Sequence, residues 1–334
     1  MPPFPKPRFD YTYDLAHELA ALRAYRKQKP GRSIPAKAKD KLLVGTWNVA
    51  NLGVQDRLDA DYALIAEMIG WFDLVAVQEV NDDLRGIEAI HAHLPTRYDL
   101  LFSDASGNRE RQAYLYDSRK VKRLREVGRV AIPPSQLPKI ARQGTTTPFA
   151  GFDRGPYLAS FESGGFRFGL LNVHLFYGSD DPADLDRRTL ETFAVAWWAD
   201  KVHRDKKSYV PEVIPLGDFN LPMAAPGDRI FDALVALGLE TPPHSSQIGS
   251  AIASDNHYDQ IAFFPGSTLD RFTGACNVFD FDGALFQDLW AARTPVQFRD
   301  YVRYHISDHR PLWAQFSTER SRLHCAARAI SSVG

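Results

Sequence analysis

Short apolar runs and stretches of helical periodicity alternate along the chain from Leu42 onward. The runs LLVGTWNV (residues 42–49) and LVAVQEV (residues 74–80) have the length and composition of buried strands. Between these runs the apolar residues recur every three or four positions, as on one face of a helix: Leu58, Tyr62, Ile65 and Ile69. The pattern therefore predicts a strand, a helix and a second strand, in this order.

The pattern changes after a further helix, which is predicted from Asp82 to about Leu94. AYLYD and KVKRLREVG predict one hairpin, and YLASFES and FRFGLLNVHL predict a second one that turns at Gly164–Gly165. The rest of the chain is predicted to form the helices Asp184–Val202 and Arg229–Leu237 and the strands VIPLGDFNL, YDQIAFF and RPLWAQF. Hairpins mixed with helices indicate an α+β fold with largely antiparallel sheets, not a doubly wound parallel sheet.

The two ends of the chain differ in composition from this middle part. Residues 1–40 are rich in proline and basic residues and contain one helical stretch, Asp14–Arg26, with an apolar stripe of Leu15, Leu19, Leu22 and Tyr25. We interpret them as an N-terminal extension that packs on a domain of residues 41–317. Residues 318–334 are basic and poor in apolar residues, and we expect a loosely held tail.

Composition and charge restrict the kind of site and its location. The 334 residues are 44% hydrophobic and 24% charged, as in an ordinary globular protein. A formal net charge of −1 gives no overall attraction to an anionic partner, so a phosphate site would need locally basic residues or a bound metal. No apolar leader and no membrane-spanning run is visible, so we expect a cytoplasmic protein; a secreted mature chain would show the same pattern. Cys276 and Cys325 lack the spacing of a zinc site or a disulfide framework, which predicts plain thiols.

Six short polar motifs stand at the ends of the predicted strands. They are Trp47-Asn48, Gln78-Glu79, Asn172-Val173-His174, Gly217-Asp218-Phe219-Asn220, Tyr258-Asp259 and Ser307-Asp308-His309. Carboxylate and amide oxygens at neighbouring strand ends suit Mg²⁺, and an aspartate beside an imidazole fixes its tautomer. Taken singly, each motif has a structural explanation, such as a solvated strand-end carboxylate, a turn-forming asparagine or a structural histidine. Together they contain all the groups that phosphate-ester cleavage needs.

These motifs also carry a resemblance to a known family. TWNVANLG, VAVQEV, LLNVHL, PLGDFN, YDQIAF and SDHRP resemble the ordered motif series of the endonuclease/exonuclease/phosphatase superfamily, from about Leu42 to Phe316. The resemblance implies a four-layer sandwich of two packed, mainly antiparallel β-sheets flanked by helices, with the site at one end. The most similar branch is that of deoxyribonuclease I, on the residues Glu110-Arg111 ahead of AYLYDSRKV and on the segment Phe152-Asp153-Arg154-Gly155-Pro156.

Two other branches fit the sequence less well. Val80-Asn81 departs from the motif of abasic-site repair enzymes, and Tyr258-Asp259-Gln260 replaces the Cys-Asp-Arg strand of inositol polyphosphate phosphatases. Gln260 also stands where many relatives carry a histidine, so a second proton carrier is absent there.

The resemblance implies a role for each residue of the site. Three residues would hold a divalent metal, Mg²⁺ by expectation with Mn²⁺ or Ca²⁺ as alternatives: Glu79, Asn48 and Asp308. Three would hold the scissile phosphate: Arg154, His174 and Asn220. Two would contact the substrate: Arg111 and Asn172. His309, oriented by Asp259, and Asp218 would manage the protons of the attacking water and the leaving oxygen, and the sequence leaves open which of the two accepts the water's proton.

The sequence favours DNA as the substrate but leaves alternatives open. Four arginines are expected on loops or strand ends near the site and could form a track for phosphates, or be solvated surface charges: Arg109, Arg111, Arg142 and Arg154. The leading prediction is a metal-dependent phosphodiesterase that hydrolyses DNA by in-line attack of water. The near-neutral charge suits the alternative better, a phosphatase or phosphodiesterase for a small molecule or lipid headgroup. A binding module with a degenerate site is disfavoured because no catalytic position is lost.

Overall fold

Two β-sheets packed face to face form the centre of the protein. A computed structural model describes residues 3–28, 32–243, 248–254 and 256–319. In these ranges a six-stranded sheet has the strand order β10-β11-β1-β2-β4-β3, and a five-stranded sheet has the order β5-β6-β7-β8-β9. Both sheets are mixed, because β1 pairs with β2 and β7 with β8 in parallel while the other recorded pairs are antiparallel.

The strands and helices have the following bounds. The strands are β1 (Lys41–Leu52), β2 (Leu74–Asn81), β3 (Tyr98–Phe102), β4 (Glu110–Asp117), β5 (Lys122–Arg129), β6 (Tyr157–Ser163), β7 (Phe166–His174), β8 (Val213–Asp218), β9 (Asp259–Ile261), β10 (Phe272–Val278) and β11 (Leu312–Ser317). The helices are α1 (Leu15–Gln28), α2 (Asp59–Ile69), α3 (Arg85–His93), α4 (Pro182–Arg204), α5 (Arg229–Val235), α6 (Gln287–Ala292) and α7 (Pro295–His305).

Side-chain alternation along the strands creates four layers. In β1, Leu42 and Val44 point into the core between the sheets, whereas Leu43 and Trp47 point to the outer face of the same sheet. That outer face packs against residues of α1, α2, α3 and α7, and the outer face of the second sheet packs against α4 and α5. The predicted four-layer α+β sandwich with mainly antiparallel sheets is confirmed.

Residues of the N-terminal extension pack on the helices that cover the outer face of the six-stranded sheet. Leu22 on α1 is fully buried, and Glu18 accepts a hydrogen bond from the backbone N–H of Phe286. Ahead of the helix, the Tyr13 hydroxyl donates to Asp61 on α2 at 2.7 Å. The extension therefore shares the core of the domain in the described residues.

The first predicted hairpin is wrong. AYLYD lies in β4, which pairs with β2 and β3 in the first sheet, whereas β5 pairs with β6 in the second sheet. Tyr116 and Val121, on either side of the turn, both contribute to the core between the sheets. Since one apolar core takes both residues, the chain folds over the edge of the sandwich and changes sheet. The second hairpin, β6 with β7, is confirmed.

Several elements were not predicted, and the tail is only partly described. Strands β3 and β10 and helix α6 lack a clear periodic signal, whereas α7 carries an apolar stripe of Phe298, Tyr301 and Val302 that the prediction missed. Thr318, assigned to the tail, is buried and its N–H donates to the carbonyl of Asp40, whereas residues 320–334, including Cys325, lie outside the described residues. Cys276 is a buried free thiol. No helix among the described residues is long and apolar enough to cross a membrane.

A glycine in β8 allows the central strands of the second sheet to pair closely. Gly217 has φ of 133°, and a Cβ there would lie 2.1 Å from the carbonyl oxygen of Val173 on β7. Gly217→Ala should therefore lower the free energy of unfolding by about 3 kcal/mol, measured by denaturant titration. The control is Gly128→Ala on β5, where a Cβ meets nothing within 4 Å and stability should be unchanged or slightly higher. Equal stability of the two variants would contradict the close pairing.

Candidate active site

The rows of side chains that build the core between the sheets become polar at one end of the sandwich. Apolar residues such as Val44, Ala76, Leu170 and Leu216 occupy the middle of these rows. Two or four positions further along the same strands, and at the starts of β4 and β9, the rows carry polar residues, all of them buried except the partly buried Glu110: Thr46, Asn48, Gln78, Glu110, Gln112, Asn172, His174, Asp218 and Asp259. Strand alternation alone thus points the polar motifs toward each other.

The backbone departs from regular strand geometry where it presents the site. The register of β1 against β2 shifts between Asn48 and Leu52, and that of β2 against β4 shifts between Val77 and Val80. Inside these irregular stretches Asn51 has φ of 50° and Glu79 has φ of 59°. Bulges and positive φ at non-glycine residues cost about 1–3 kcal/mol each and occur where function requires a side chain to be redirected.

Asn48 connects the two sheets through its amide group. Its Nδ2 donates to Glu79 Oε1 and to Asp218 Oδ2, each at 3.0 Å. The other Glu79 oxygen accepts the backbone N–H of Asn51 at 2.7 Å. The carbonyl oxygen of the side chain, Asn48 Oδ1, is buried without a hydrogen-bond partner. An orphaned buried acceptor beside a buried carboxylate is what a cation site requires.

His309 and Asp259 form the pair that the sequence predicts. His309 Nδ1 lies 2.7 Å from Asp259 Oδ2, and its Nε2 lies 3.9 Å from Asp218 Oδ2. Burial disfavours the imidazolium, but the charges of Asp259 and Asp218 outweigh it and raise the pKa of His309 well above its usual value. The contact between the two residues is confirmed, and it fixes the ring with its free nitrogen toward Asp218.

His174 has an acidic partner of its own. Its Nδ1 lies 2.9 Å from Glu110 Oε2, and its Nε2 lies 3.8 Å from Asp218 Oδ2. Burial raises the pKa of Glu110, but the His174 imidazole and the Arg154 guanidinium overcome this and lower it to about 2. Two imidazoles, each held at Nδ1 by a carboxylate, therefore face one aspartate from two sides.

The acidic groups at the centre differ in their charge state. Burial disfavours ionisation of Asp218, but His309, His174 and hydrogen bonds hold its pKa below the ordinary value. Asp308 shows the opposite shift: burial raises its pKa, His309 opposes this, and the charges of Glu79 and Asp218 add to it. Asp218 is thus a stable carboxylate, whereas Asp308 is repelled by its acidic neighbours.

The residues present fit a divalent ion of the Mg²⁺ type. Glu79, Asn48 and Asp308 offer two carboxylates and an unpartnered amide oxygen, and a cation would relieve the repulsion that raises the pKa of Asp308. No three His, Cys, Asp or Glu side chains in the described part of the chain converge as a closed metal cage. Mg²⁺ needs no such cage, because it binds through one or two carboxylates and keeps several waters.

A cavity of about 380 Å³ opens onto this cluster. It is lined by Asn108, Asp153, Arg154, His174, Phe176, Tyr177, Gly178, Asp218, Asn220, Tyr258, Asp308 and His309. Arg154 is almost fully buried and donates to the carbonyls of His174 and Leu175 at 2.9 and 2.7 Å. Asn220, with φ of 52°, donates its side-chain amide to the carbonyl of Leu175 as well. Six predicted site residues therefore share one cavity.

Two predicted substrate contacts are not at this cavity. Asn172 is fully buried, and its side chain bonds Gln78 and the carbonyls of Val77 and Ala113, so it joins the two sheets and does not face a substrate. Arg111 points to Asp82, with Nη2 at 2.6 Å from Oδ1. Both side chains are absent from the cavity lining, because nearby protein acceptors satisfy them.

Known proteins can now be compared with this arrangement. No family model matches the chain, and no curated protein matches it in sequence. An endonuclease/exonuclease/phosphatase family protein from Bacteroides thetaiotaomicron is 20% identical with a TM-score of 0.51, over 83% of this chain and 94% of that one. The chain has the endonuclease/exonuclease/phosphatase fold.

Two further structures with the endonuclease/exonuclease/phosphatase fold illustrate its range. A mannosyl-6-phosphatase from Bacteroides thetaiotaomicron is 20% identical with a TM-score of 0.52, over 82% of this chain and 99% of that one. D. rerio TDP2, complexed with a single-strand DNA product, is 18% identical with a TM-score of 0.53, over 83% and 99%. At these identities the likeness establishes the fold of this chain.

Two residues that position the candidate site were not predicted from the sequence. The motif of Glu110 and Arg111 gave no role to Glu110, although the alternation of Tyr114 and Tyr116 on β4 places it on the face between the sheets. No motif or periodicity in the sequence indicated a role for Arg57. Its buried guanidinium donates to four backbone carbonyls, which belong to Ala50, Asn51, His305 and Ile306. It thereby ties the bulge that carries Asn51 to the segment that leads into Asp308.

Glu110 should make part of the stability depend on pH. Its pKa falls from 4.5 to about 2 in the folded protein, so its contribution is present above pH 4.5 and is lost as pH falls toward 2. Glu110→Gln should lose roughly 3 kcal/mol at neutral pH and show a flatter acid limb, measured by urea titrations from pH 2 to 7 in chelator. Glu162→Gln on β6, next to Arg167, is the control and should keep the wild-type acid limb. Parallel acid limbs for Glu110→Gln and wild type would contradict the assignment.

Proposed function

We propose that the protein is a metal-dependent hydrolase of phosphate esters. The observation that carries the proposal is the convergence of two carboxylate-held imidazoles, His309 and His174, on the Glu79–Asn48–Asp218 chain at one cavity. Asn48 Oδ1 is buried without a hydrogen-bond partner, and a bound cation would satisfy it. The cluster thus combines oxygen ligands for a cation, groups that can bind an anion and imidazoles that can transfer a proton.

Glu79, Asn48 and Asp308 would hold the metal. When bound, a divalent cation supplies neutralisation of charge on the phosphate and on the leaving oxygen. Three residues that line the cavity bind and orient the phosphate. Asn220 presents an amide and His174 a ring that Glu110 fixes, and buried Arg154 brings a positive charge close to both.

Charge states separate the roles of Asp218 and His309. Asp218 has a lowered pKa, so it stays ionised and accepts the proton of the attacking water. His309 has a raised pKa, so it enters the reaction as an imidazolium that stabilises the phosphate and can give a proton to the leaving oxygen. Asp259 keeps the ring in place through Nδ1. Of the two candidates that the sequence leaves open, the proposal thus assigns the water's proton to Asp218.

The shape of the cavity bears on the substrate. Of the four arginines predicted to form a phosphate track, only Arg154 lines the cavity; Arg142 lies over the ring of Phe193, and Arg109 and Arg111 lie beside Asp82. A volume of about 380 Å³ is in the range of small-ligand sites. We therefore favour a substrate with a compact reacting end, either a small ester or the end of a nucleic-acid strand. The interior of duplex DNA fits the cavity less well. Solved structures with this fold include both kinds of protein, a sugar phosphatase and TDP2 with single-stranded DNA.

The proposal predicts activity that depends on a divalent metal and on Glu79. Glu79→Gln should lose most of the turnover, because an amide is a poor replacement for a carboxylate on Mg²⁺. The assay incubates wild type and variant with supercoiled plasmid, single-stranded DNA, RNA and a panel of phosphomonoesters, with Mg²⁺, Mn²⁺, Ca²⁺ or chelator.

The matched control is Glu88→Gln, which makes the same change at an exposed position on α3 and should keep full activity. Full turnover of any substrate in excess chelator would refute the metal assignment. Hydrolysis of plasmid alone would restore duplex DNA as the substrate.

A further inference from the structure

Two tyrosines form an aromatic wall beside the polar cluster. Tyr177 follows β7 and Tyr258 directly precedes Asp259, and both line the cavity. Their ring centroids are 6.3 Å apart with the planes at 79°, so the rings meet as a corner. The Tyr258 ring also lies 5.7 Å from the ring of His309. The aromatic wall therefore lies directly beside His309 and the other polar residues of the cavity.

The loop that carries Tyr177 is fixed on both sides. Before it, the N–H of Phe176 donates to the buried carboxylate of Glu191 at 3.1 Å. After it, the N–H and hydroxyl of Ser179 both donate to Asp184. Gly178 has φ of 65°, and a Cβ there would lie 2.4 Å from Asp184 Oδ2, so glycine is needed for this path. Tyr177 is thus held in place without being covered.

An arginine supports the Tyr177 ring from the protein side. Arg188 on α4 is only 2% exposed, its guanidinium carbon lies 4.9 Å from the centre of the Tyr177 ring, and Nη2 donates to the carbonyl of Ser179. Tyr177 itself is 42% exposed. A tyrosine that served packing alone would bury its ring, whereas this one is supported by a buried cation and leaves much of its surface open.

Tyr258 is fixed in a similar way. Its hydroxyl accepts a hydrogen bond from the side-chain amide of Asn256 at 2.6 Å, and its ring is only partly buried. The two rings are therefore pre-oriented at right angles, and a flat group placed in the corner would stack on one ring and meet the other at its edge.

We propose that Tyr177 and Tyr258 bind a nucleobase next to the scissile phosphate, so that the substrate is a nucleotide or a nucleotide at the end of a strand. The inference rests on the proposed function and names its substrate class. A base has a flat π-face that stacks well on tyrosine, and base–aromatic stacking is the interaction that proteins use where sequence is not read. The cavity volume of about 380 Å³ is sufficient for one base with its sugar and phosphate.

The test compares two ligands that differ only in the base. AMP and ribose 5-phosphate are titrated by calorimetry into the full chain in excess chelator, so that no turnover is expected. AMP should bind at least about tenfold more tightly than ribose 5-phosphate, which is the lower part of the range for one stacked base. Tyr177→Leu should bring the two affinities together, and Tyr177→Phe should keep the difference, because a phenyl ring still stacks.

Tyr209→Leu is the matched control. Tyr209 is also an exposed tyrosine, 44% accessible, with the guanidinium of Arg167 5.3 Å from its ring, but it lies outside the cavity. This variant should keep the wild-type ratio of affinities. A single-stranded oligodeoxynucleotide titrated beside AMP distinguishes a strand from a free nucleotide as the source of the base.

Equal affinities of AMP and ribose 5-phosphate for wild type, or an unchanged ratio in Tyr177→Leu, would overturn the inference. Absence of binding by both ligands would overturn it as well. Failure of the proposed function gives a different result: base-dependent binding that Tyr177→Leu abolishes, with no hydrolysis of any ester when metal is supplied. That outcome would uphold the aromatic wall and refute the hydrolase.

Discussion

Asn48 links the two sheets at the end of the sandwich where the side chains between them change from apolar to polar. Its amide donates to Glu79 in one sheet and to Asp218 in the other, both of which are almost fully buried. Removing a carboxylate from water costs several kcal/mol unless donors or opposite charges replace the hydration. The geometry around Asn48 follows from this requirement. The imidazoles of His309 and His174 face Asp218, and the backbone of Asn51 turns to φ of 50° while its N–H donates to Glu79.

The site is a continuation of the core and not an addition to it. On β8 the row that begins with Ile214 and Leu216 ends with Asp218, and on β9 the row of Ile261 and Phe263 begins with Asp259. Apolar packing in the middle of each strand therefore fixes the direction of the polar residue at its end. Because Asp259 lies on β9 of the second sheet and His309 lies just before β11 of the first, correct packing of the sandwich is what brings the dyad together.

The local sequence pattern was sufficient to predict some strands and one hairpin. The buried strands β1 and β2 could be predicted because each is a continuous apolar run of strand length, and the hairpin of β6 with β7 because Gly164–Gly165 marks its turn. The pairing partner of β5 could not, since a short turn allows either a hairpin or a change of sheet. The core that takes both Tyr116 and Val121 decides between them. Short elements such as β3 and α6 offer too few periods to be recognised.

The candidate site, too, could be predicted only where the local sequence determines it. The motifs indicated which residues meet at the strand ends, and the contact between Asp259 and His309 is confirmed. Partners far apart in the chain were missed: Glu110 approaches His174, and Asp82 attracts Arg111 away from the cavity. For Asn172 the motif gave the face correctly, but the acceptors that bury it come from other strands.

The central claim is that His309 and Asp259 act as one unit on the phosphate. The most direct measurement is single-turnover cleavage by wild type, His309→Ala, Asp259→Asn and the double variant at saturating metal. Positioned acid–base groups contribute about 10²–10⁴ in rate, so His309→Ala should lose at least about 10² with its fold and metal binding intact. Asp259→Asn should also be severe, and the double variant should be little worse than the worse single one, because residues that act as a unit are not additive. Losses that multiply in the double variant would show that the two residues act independently and would contradict the account.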